Sequence, residues 1–271
     1  MTNRRTPSQC GFTLVEAVVV ILISGIVFAV VAIFIQKPVE GYFDTTRRAA
    51  LADIADTAVR RITRDLRLAL PNSVRVNGNY LEFLLTTGGG RYRAEQTSGG
   101  AGNVLDFTTP GGDASFDVIG PVPTLAAGNQ VVIFNLGPGF AGADAYQAAG
   151  NNRASYQSLA GSTITLSAAK LFPWQSPGKR FHVVETAVTY QCDAAGGVIR
   201  RYWGYGINAV QATPPGGGSN ALLATSVSGC AFGYNPNELN QRYGIVTIQL
   251  ALTQAGETVT VQAQAHVPNV P

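Results

Sequence analysis

The sequence predicts an α+β protein in which one long N-terminal helix packs on a mainly antiparallel β-sheet head. Three observations predict it. From Phe12 to Ile35 the only ionisable side chain is Glu16. Residues 51 to 69 place apolar side chains at three- and four-residue spacing, one face of a helix. Beyond residue 72 the periodicity drops to two, in short runs rich in β-branched and aromatic residues. The expected divisions are 1–11, a short basic segment; 12–35, a membrane-length helix; 36–71, an amphipathic helix; and 72–271, a β-rich head.

Composition narrows the class. The 271 residues are 46% hydrophobic and 13% charged, about half the charged share of an ordinary soluble domain. A disordered polyelectrolyte has the opposite balance. Lys and Arg exceed Asp and Glu by only three, which argues against a nucleic-acid-binding face. Three cysteines are too few for a disulfide scaffold.

As a helix, the stretch from Phe12 to Ile35 reaches about 36 Å, against a hydrocarbon core of about 30 Å. Arg4 and Arg5 precede it, so the positive-inside rule keeps the N-terminus cytoplasmic and sends the chain after Lys37 across the membrane as a single pass. The exit, Ala32-Ile33-Phe34-Ile35-Gln36-Lys37, lacks the small residues of a secretory cleavage site. Glu16 is the anomaly: a carboxylate at the centre of such a helix costs about 2.5 to 3.5 kcal/mol on insertion scales, less near an end.

The string Gly11-Phe12-Thr13-Leu14-Val15-Glu16, behind a basic leader and ahead of an unbroken apolar helix, resembles the signature of type IV prepilins and type II secretion pseudopilins. The resemblance implies a pilin-like fold, a leader 1–11 removed between Gly11 and Phe12 by prepilin peptidase, and N-methylation of Phe12. It implies assembly through Glu16, which would neutralise the Phe12 amine of a neighbouring subunit. The segment from Arg60 to Val76 and the last strands are similar to minor proteins of the MSHA-type pilus and, more loosely, to J-type pseudopilins. The implied partners are prepilin peptidase, other major and minor pilins or pseudopilins, an inner-membrane assembly platform and the lipid bilayer. The implied role is that of a minor subunit at or near the fibre tip, supporting pilus biogenesis or adhesion. Pilus and type II secretion pseudopilus remain alternatives, and a membrane-anchored binding or adhesion module is a third. Cleavage also removes Cys10, so Cys192 and Cys230 most simply pair as a disulfide in the periplasm.

In the second helical segment Leu51, Ile54, Ala58, Val59, Ile62, Leu66 and Ala69 form the apolar face, and the Arg and Asp residues the solvated one. Asp53 and Asp56 with Arg60, and Arg61 with Asp65, sit at same-face spacing. Pro38 and Gly41 predict a kink or break, and Pro71-Asn72 the end.

Strands are predicted at Val74–Leu85, Val104–Phe107, Gln130–Leu136, Thr163–Ser167, His182–Gln191, Val198–Trp203, Gly244–Thr253 and Glu257–His266, the last two joined by a turn at Ala255-Gly256. Glycines 88–90, 99–102 and 216–218, and the stretch 137–161, read as loops. Gly137 to Gly142 matches the dinucleotide pattern G-x-G-x-x-G, but Gly150-Asn151-Asn152 breaks any following helix and no acid stands near residue 160. His182 and His266 stand singly in apolar strands and suggest no metal site. Tyr202, Trp203 and Tyr205 with Arg200 and Arg201 could line a carbohydrate surface, although aromatic strand residues more commonly fill a core. The reading carries no catalytic residue, cofactor or nucleic-acid partner: the chain is not an enzyme.

Overall fold

A computed structural model describes residues 11–235 and 243–271. Arg4, Arg5 and Cys10 of the expected leader lie outside the described residues. The chain divides into two compact units, with the division between Ala50 and Leu51.

One helix, α1 (Leu14–Arg67), runs for 54 residues. The break expected at Pro38 and Gly41 does not occur, because proline removes a single amide donor and the hydrogen bonds on either side carry the helix through it. Arg64 and Arg67 in the last turn suit its negative end. That end is sewn to the next strand: the Leu68 carbonyl accepts from Thr86 N–H and Oγ1, both at 2.8 Å, and Leu70 N–H donates to Leu84 O at 2.8 Å.

In the unit from Leu51, one face of α1 is buried, carrying Leu51, Ala55, Ala58, Val59, Ile62 and Leu66. These pack in one core with Leu81 and Phe83, with Val188 and Tyr190, and with alternate residues Val246, Ile248, Leu250 and Leu252. The helix is therefore the spine of an antiparallel β-head, as the sequence predicts.

The strands are β1 (Arg75–Asn77), β2 (Tyr80–Tyr92), β3 (Asp113–Ile119), β4 (Gln130–Val132), β5 (Arg153–Ala160), β6 (Thr163–Lys170), β7 (Arg180–Asp193), β8 (Val198–Trp203), β9 (Ser219–Ala224), β10 (Val227–Asn235), β11 (Tyr243–Gln254) and β12 (Glu257–Pro268). The larger sheet has the order β1-β2-β3-β6-β5-β4-β7-β8-β9, and β10-β11-β12 form the smaller one. Every strand pairing among the described residues is antiparallel. Because β2 also pairs with β7, the path β2-β3-β6-β5-β4-β7 closes on itself. It has its own aromatic core, including Tyr92, Phe116, Phe172 and Phe181.

Several local expectations change. Val74–Leu85 divides into β1 and β2, with a hairpin between Asn77 and Tyr80. Val104–Phe107 is not a strand; Leu105 N–H reaches Arg93 O, and Asp106 then turns the chain through bonds to Thr108 and Thr109. Gly88–Gly90 lie inside β2, where a Cβ on Gly89 would come within 2.6 Å of Phe181 O and one on Gly90 within 2.9 Å of the Phe181 ring. Glycine here permits close strand approach. The stretch 137–161 is not all surface loop: Ala143, Asp144, Ala145 and Tyr146 are buried and β5 begins at Arg153.

Cys192 at the end of β7 and Cys230 in β10 form a disulfide, with Cα atoms 6.1 Å apart, and so join the two sheets. Closing a loop of this size stabilises by about 3 to 4 kcal/mol in the chain-entropy model. Replacing both cysteines by serine is expected to lower the unfolding free energy of the full chain in detergent by about 3 kcal/mol. Urea denaturation with near-ultraviolet circular dichroism measures it.

Candidate assembly site

The N-terminal residues are exposed. Phe12 is 75% accessible, and no residue from 11 to 50 is buried. Soluble surfaces seldom leave so large an apolar area uncovered, and α1 is long and apolar enough to cross a membrane. Thr13 caps α1: its Oγ1 accepts from Glu16 N–H at 3.3 Å, and its carbonyl accepts from Ala17 N–H at 3.2 Å. Glu16 therefore occupies the third helical position, the spacing of a capping box, and its backbone N–H is the group that Thr13 caps. An acid at this position also suits the positive end of the helix.

In the head, two buried carboxylates organise the packing. Asp65 of α1, 4% exposed, lies on the buried arc of the helix and not on the solvated face. It accepts from Tyr190 OH at 2.8 Å and Arg201 Nε at 2.8 Å, with Arg61 Nε at 3.3 Å. Burial, with the Asp65 carboxylate beside it, pushes the Tyr190 phenol well above its ordinary pKa. On β2, Glu82 is 1% exposed and pairs across the hairpin with Arg75 at 2.7 Å. Burial raises the Glu82 pKa, and Arg75 opposes the rise. The Arg75 guanidinium also lies 3.7 Å over the Tyr146 ring, whose hydroxyl donates to Ser73 O at 2.8 Å.

The residues considered for a carbohydrate surface are engaged elsewhere. Arg201 is committed to Asp65, Tyr202 donates to Gln191, Arg200 to Asn220, and Tyr205 shares a 2.6 Å hydrogen bond with Thr189. The glycine pattern from 137 to 142 serves turns. Gly137, at φ 101°, leaves no room for a Cβ, which would fall 2.6 Å from Asn72 O, and no helix follows among the described residues to 152.

Sequence reasoning missed Asp65, the Arg75–Glu82 pair and Asn135. The Asn135 amide donates to Pro71 O at 2.7 Å and its oxygen accepts from Ala145 N–H at 3.0 Å, pinning the loop to the end of α1. Helical spacing could have found Asp65, three residues after Ile62 and four before Ala69. Asn135 leaves no local signal.

Residues 6–32 match the family model of the prokaryotic N-terminal methylation motif. No curated protein and no solved structure matches the chain. The motif supports a type IV pilin or pseudopilin, a class with a structural role, and with the uncovered apolar helix it fits anchoring in the inner membrane. It implies processing by prepilin peptidase and assembly with other pilins.

Proposed function

We propose that the protein is a minor structural subunit of an MSHA-type pilus, cut between Gly11 and Phe12, methylated on Phe12 and incorporated at or near the fibre tip. Before assembly it sits in the inner membrane as a single pass, with its N-terminus cytoplasmic and its head periplasmic. The observation that carries the reading is the methylation motif at the start of a helix whose apolar N-terminal part, up to residue 50, is left without a buried residue. Such a surface is satisfied by lipid before assembly and by neighbouring helices after it. The absence of proline between Phe12 and Gln36 favours a low-copy subunit, because the resemblance associates a helix-melting proline with major pilins.

Mass spectrometry of the mature chain is expected to show N-methylated Phe12 as its first residue. Crosslinked partners are expected to be pilins of one fibre. A chain beginning at Met1 would overturn the reading. Crosslinks confined to pseudopilins and a secretion platform would transfer the same subunit role to type II secretion.

A further inference from the structure

The smaller sheet ends in a long open edge. β12 pairs with β11 along its whole length without a bulge, and among the described residues no strand lies on its other side. The other outer strands are short or tied down. β1 has 3 residues and β9 has 6, while β10 is joined to β7 by the Cys192–Cys230 disulfide and its Val227 N–H donates to Gly197 O at 3.0 Å. Natural sheets blunt an exposed edge with charge, proline or a bulge. Between Thr258 and Val267, β12 has no proline, no bulge and no Asp, Glu, Lys or Arg.

The turn fixes which backbone groups face outward. Gln254 and Glu257 flank Ala255 and Gly256, both at positive φ, the two-residue hairpin in which the flanking residues exchange both hydrogen bonds. The next pair, Thr253 and Thr258, then turns its groups away from the shared ladder, and Thr253 N–H accordingly reaches Ser226 O at 2.8 Å. By alternation Thr258, Thr260, Gln262, Gln264 and His266 direct their N–H and C=O groups to the open edge. On the core side Val259, Val261 and Ala263 are only partly buried, whereas Val246, Ile248, Leu250 and Leu252 of β11 are fully covered. The apolar layer is incomplete at this edge.

We propose that β12 is the docking edge for a second copy of the chain, the two β12 strands pairing antiparallel about a two-fold axis at Gln262. The strand is complementary to itself in that register. Val259 falls opposite Ala265 of the partner subunit and Val261 opposite Ala263 of the partner subunit, so each half-covered valine meets a small residue; parallel in-register pairing would set valine on valine and alanine on alanine. On the outer face Thr260 meets Gln264 of the partner subunit and Thr258 meets His266 of the partner subunit, with no Asp, Glu, Lys or Arg among them. The outward groups of the two strands supply about ten hydrogen bonds, the mode by which an extended segment adds to a sheet edge. Two-fold symmetry closes the contact at two copies. The pairing is independent of the fibre the subunit joins.

Disulfide trapping tests the register in the full chain, carrying Cys10→Ser and dispersed in an excess of neutral detergent micelles. Opposed residues of a hydrogen-bonded antiparallel pair have Cα atoms about 5.5 Å apart, within reach of a disulfide. An offset of eight residues puts them about 27 Å apart. Gln262→Cys is therefore expected to form crosslinked dimers under mild oxidation, and Thr258→Cys alone is not. Chains with Thr258→Cys mixed with chains carrying His266→Cys should crosslink to each other at least tenfold more than either does alone. Adding Thr260→Lys and Gln264→Lys, which opposes like charges at exposed positions, should cut Gln262→Cys trapping at least tenfold, with an unchanged near-ultraviolet circular dichroism spectrum reporting an intact head. Equal trapping of Gln262→Cys and Thr258→Cys, which association through α1 alone would produce, overturns the proposal, as does trapping at neither. Capture of a different pilin by Gln262→Cys in membranes, without the dimer, also overturns it and assigns the edge to that neighbour.

Discussion

Asp65→Asn is expected to destabilise the head by about 3 kcal/mol, the cost of breaking a buried ion pair from one side. The side-chain volume barely changes, so the loss is electrostatic. Tyr190 and Arg201 both donate to Asp65 Oδ2, so an amide oxygen placed there can still accept from both, but the Arg201 guanidinium then remains largely buried without a countercharge. Arg61 contributes little to the wild-type balance because it is half exposed, at 45% of its side chain. For a unit of this size the loss corresponds to a fall in Tm of about 6 to 12 °C. A compensating variant separates charge from packing: Asp65→Leu with Tyr190→Phe and Arg201→Met removes all three polar groups together. It should recover most of the stability, since well-packed apolar replacements of buried ion pairs are frequently neutral. Scanning calorimetry on the full chain in detergent measures both. A loss below about 1 kcal/mol in Asp65→Asn would mean that water reaches the cluster and screens it.

This aspartate also shows how far the sequence could be read. The apolar face of α1 was legible because helical spacing is a local property, and a buried acid embedded in it looks like any other Asp until its partners, 125 and 136 residues away, are in place. The strands with one buried face, β11 and β12, announced themselves by alternation, and β7, buried on both faces, by its run of β-branched and aromatic residues. β5 did not: apart from Ala154 its residues are half-buried or exposed, so neither face supplies a period-two signal. β3 was hidden by its two aspartates, Asp113 and Asp117, of which Asp117 bonds to Arg93, Asn103 and Thr163. Glycine misled in β2, where it allows Phe181 to approach and does not mark a turn. At the N-terminus the reverse holds. The assembly signature spans only a few adjacent residues, so its spacing is legible without a single long-range contact.

Glu16→Gln is the sharper of two tests of that signature. Within a single chain a third-position acid suits the positive end of the helix and the spacing of a capping box with Thr13, and losing such a cap costs about 1 kcal/mol. Glutamine serves a capping box as well as glutamate does, so a purely local role predicts that Glu16→Gln assembles like wild type and that only Glu16→Ala is impaired. Charge neutralisation of a neighbour's Phe12 amine predicts otherwise. Two opposite charges in an apolar bundle offset part of each other's desolvation, and a neutral amide leaves the ammonium uncompensated. Both variants are then expected to reduce incorporation into sheared surface fibres at least tenfold, while the proposed N-methylation of Phe12 is expected to persist. Quantitative mass spectrometry of fibre and membrane fractions reads incorporation and methylation together. Wild-type incorporation of Glu16→Gln would show that the charge is not needed for assembly, because the amide leaves the backbone bond to Thr13 and the side-chain length in place and removes only the charge.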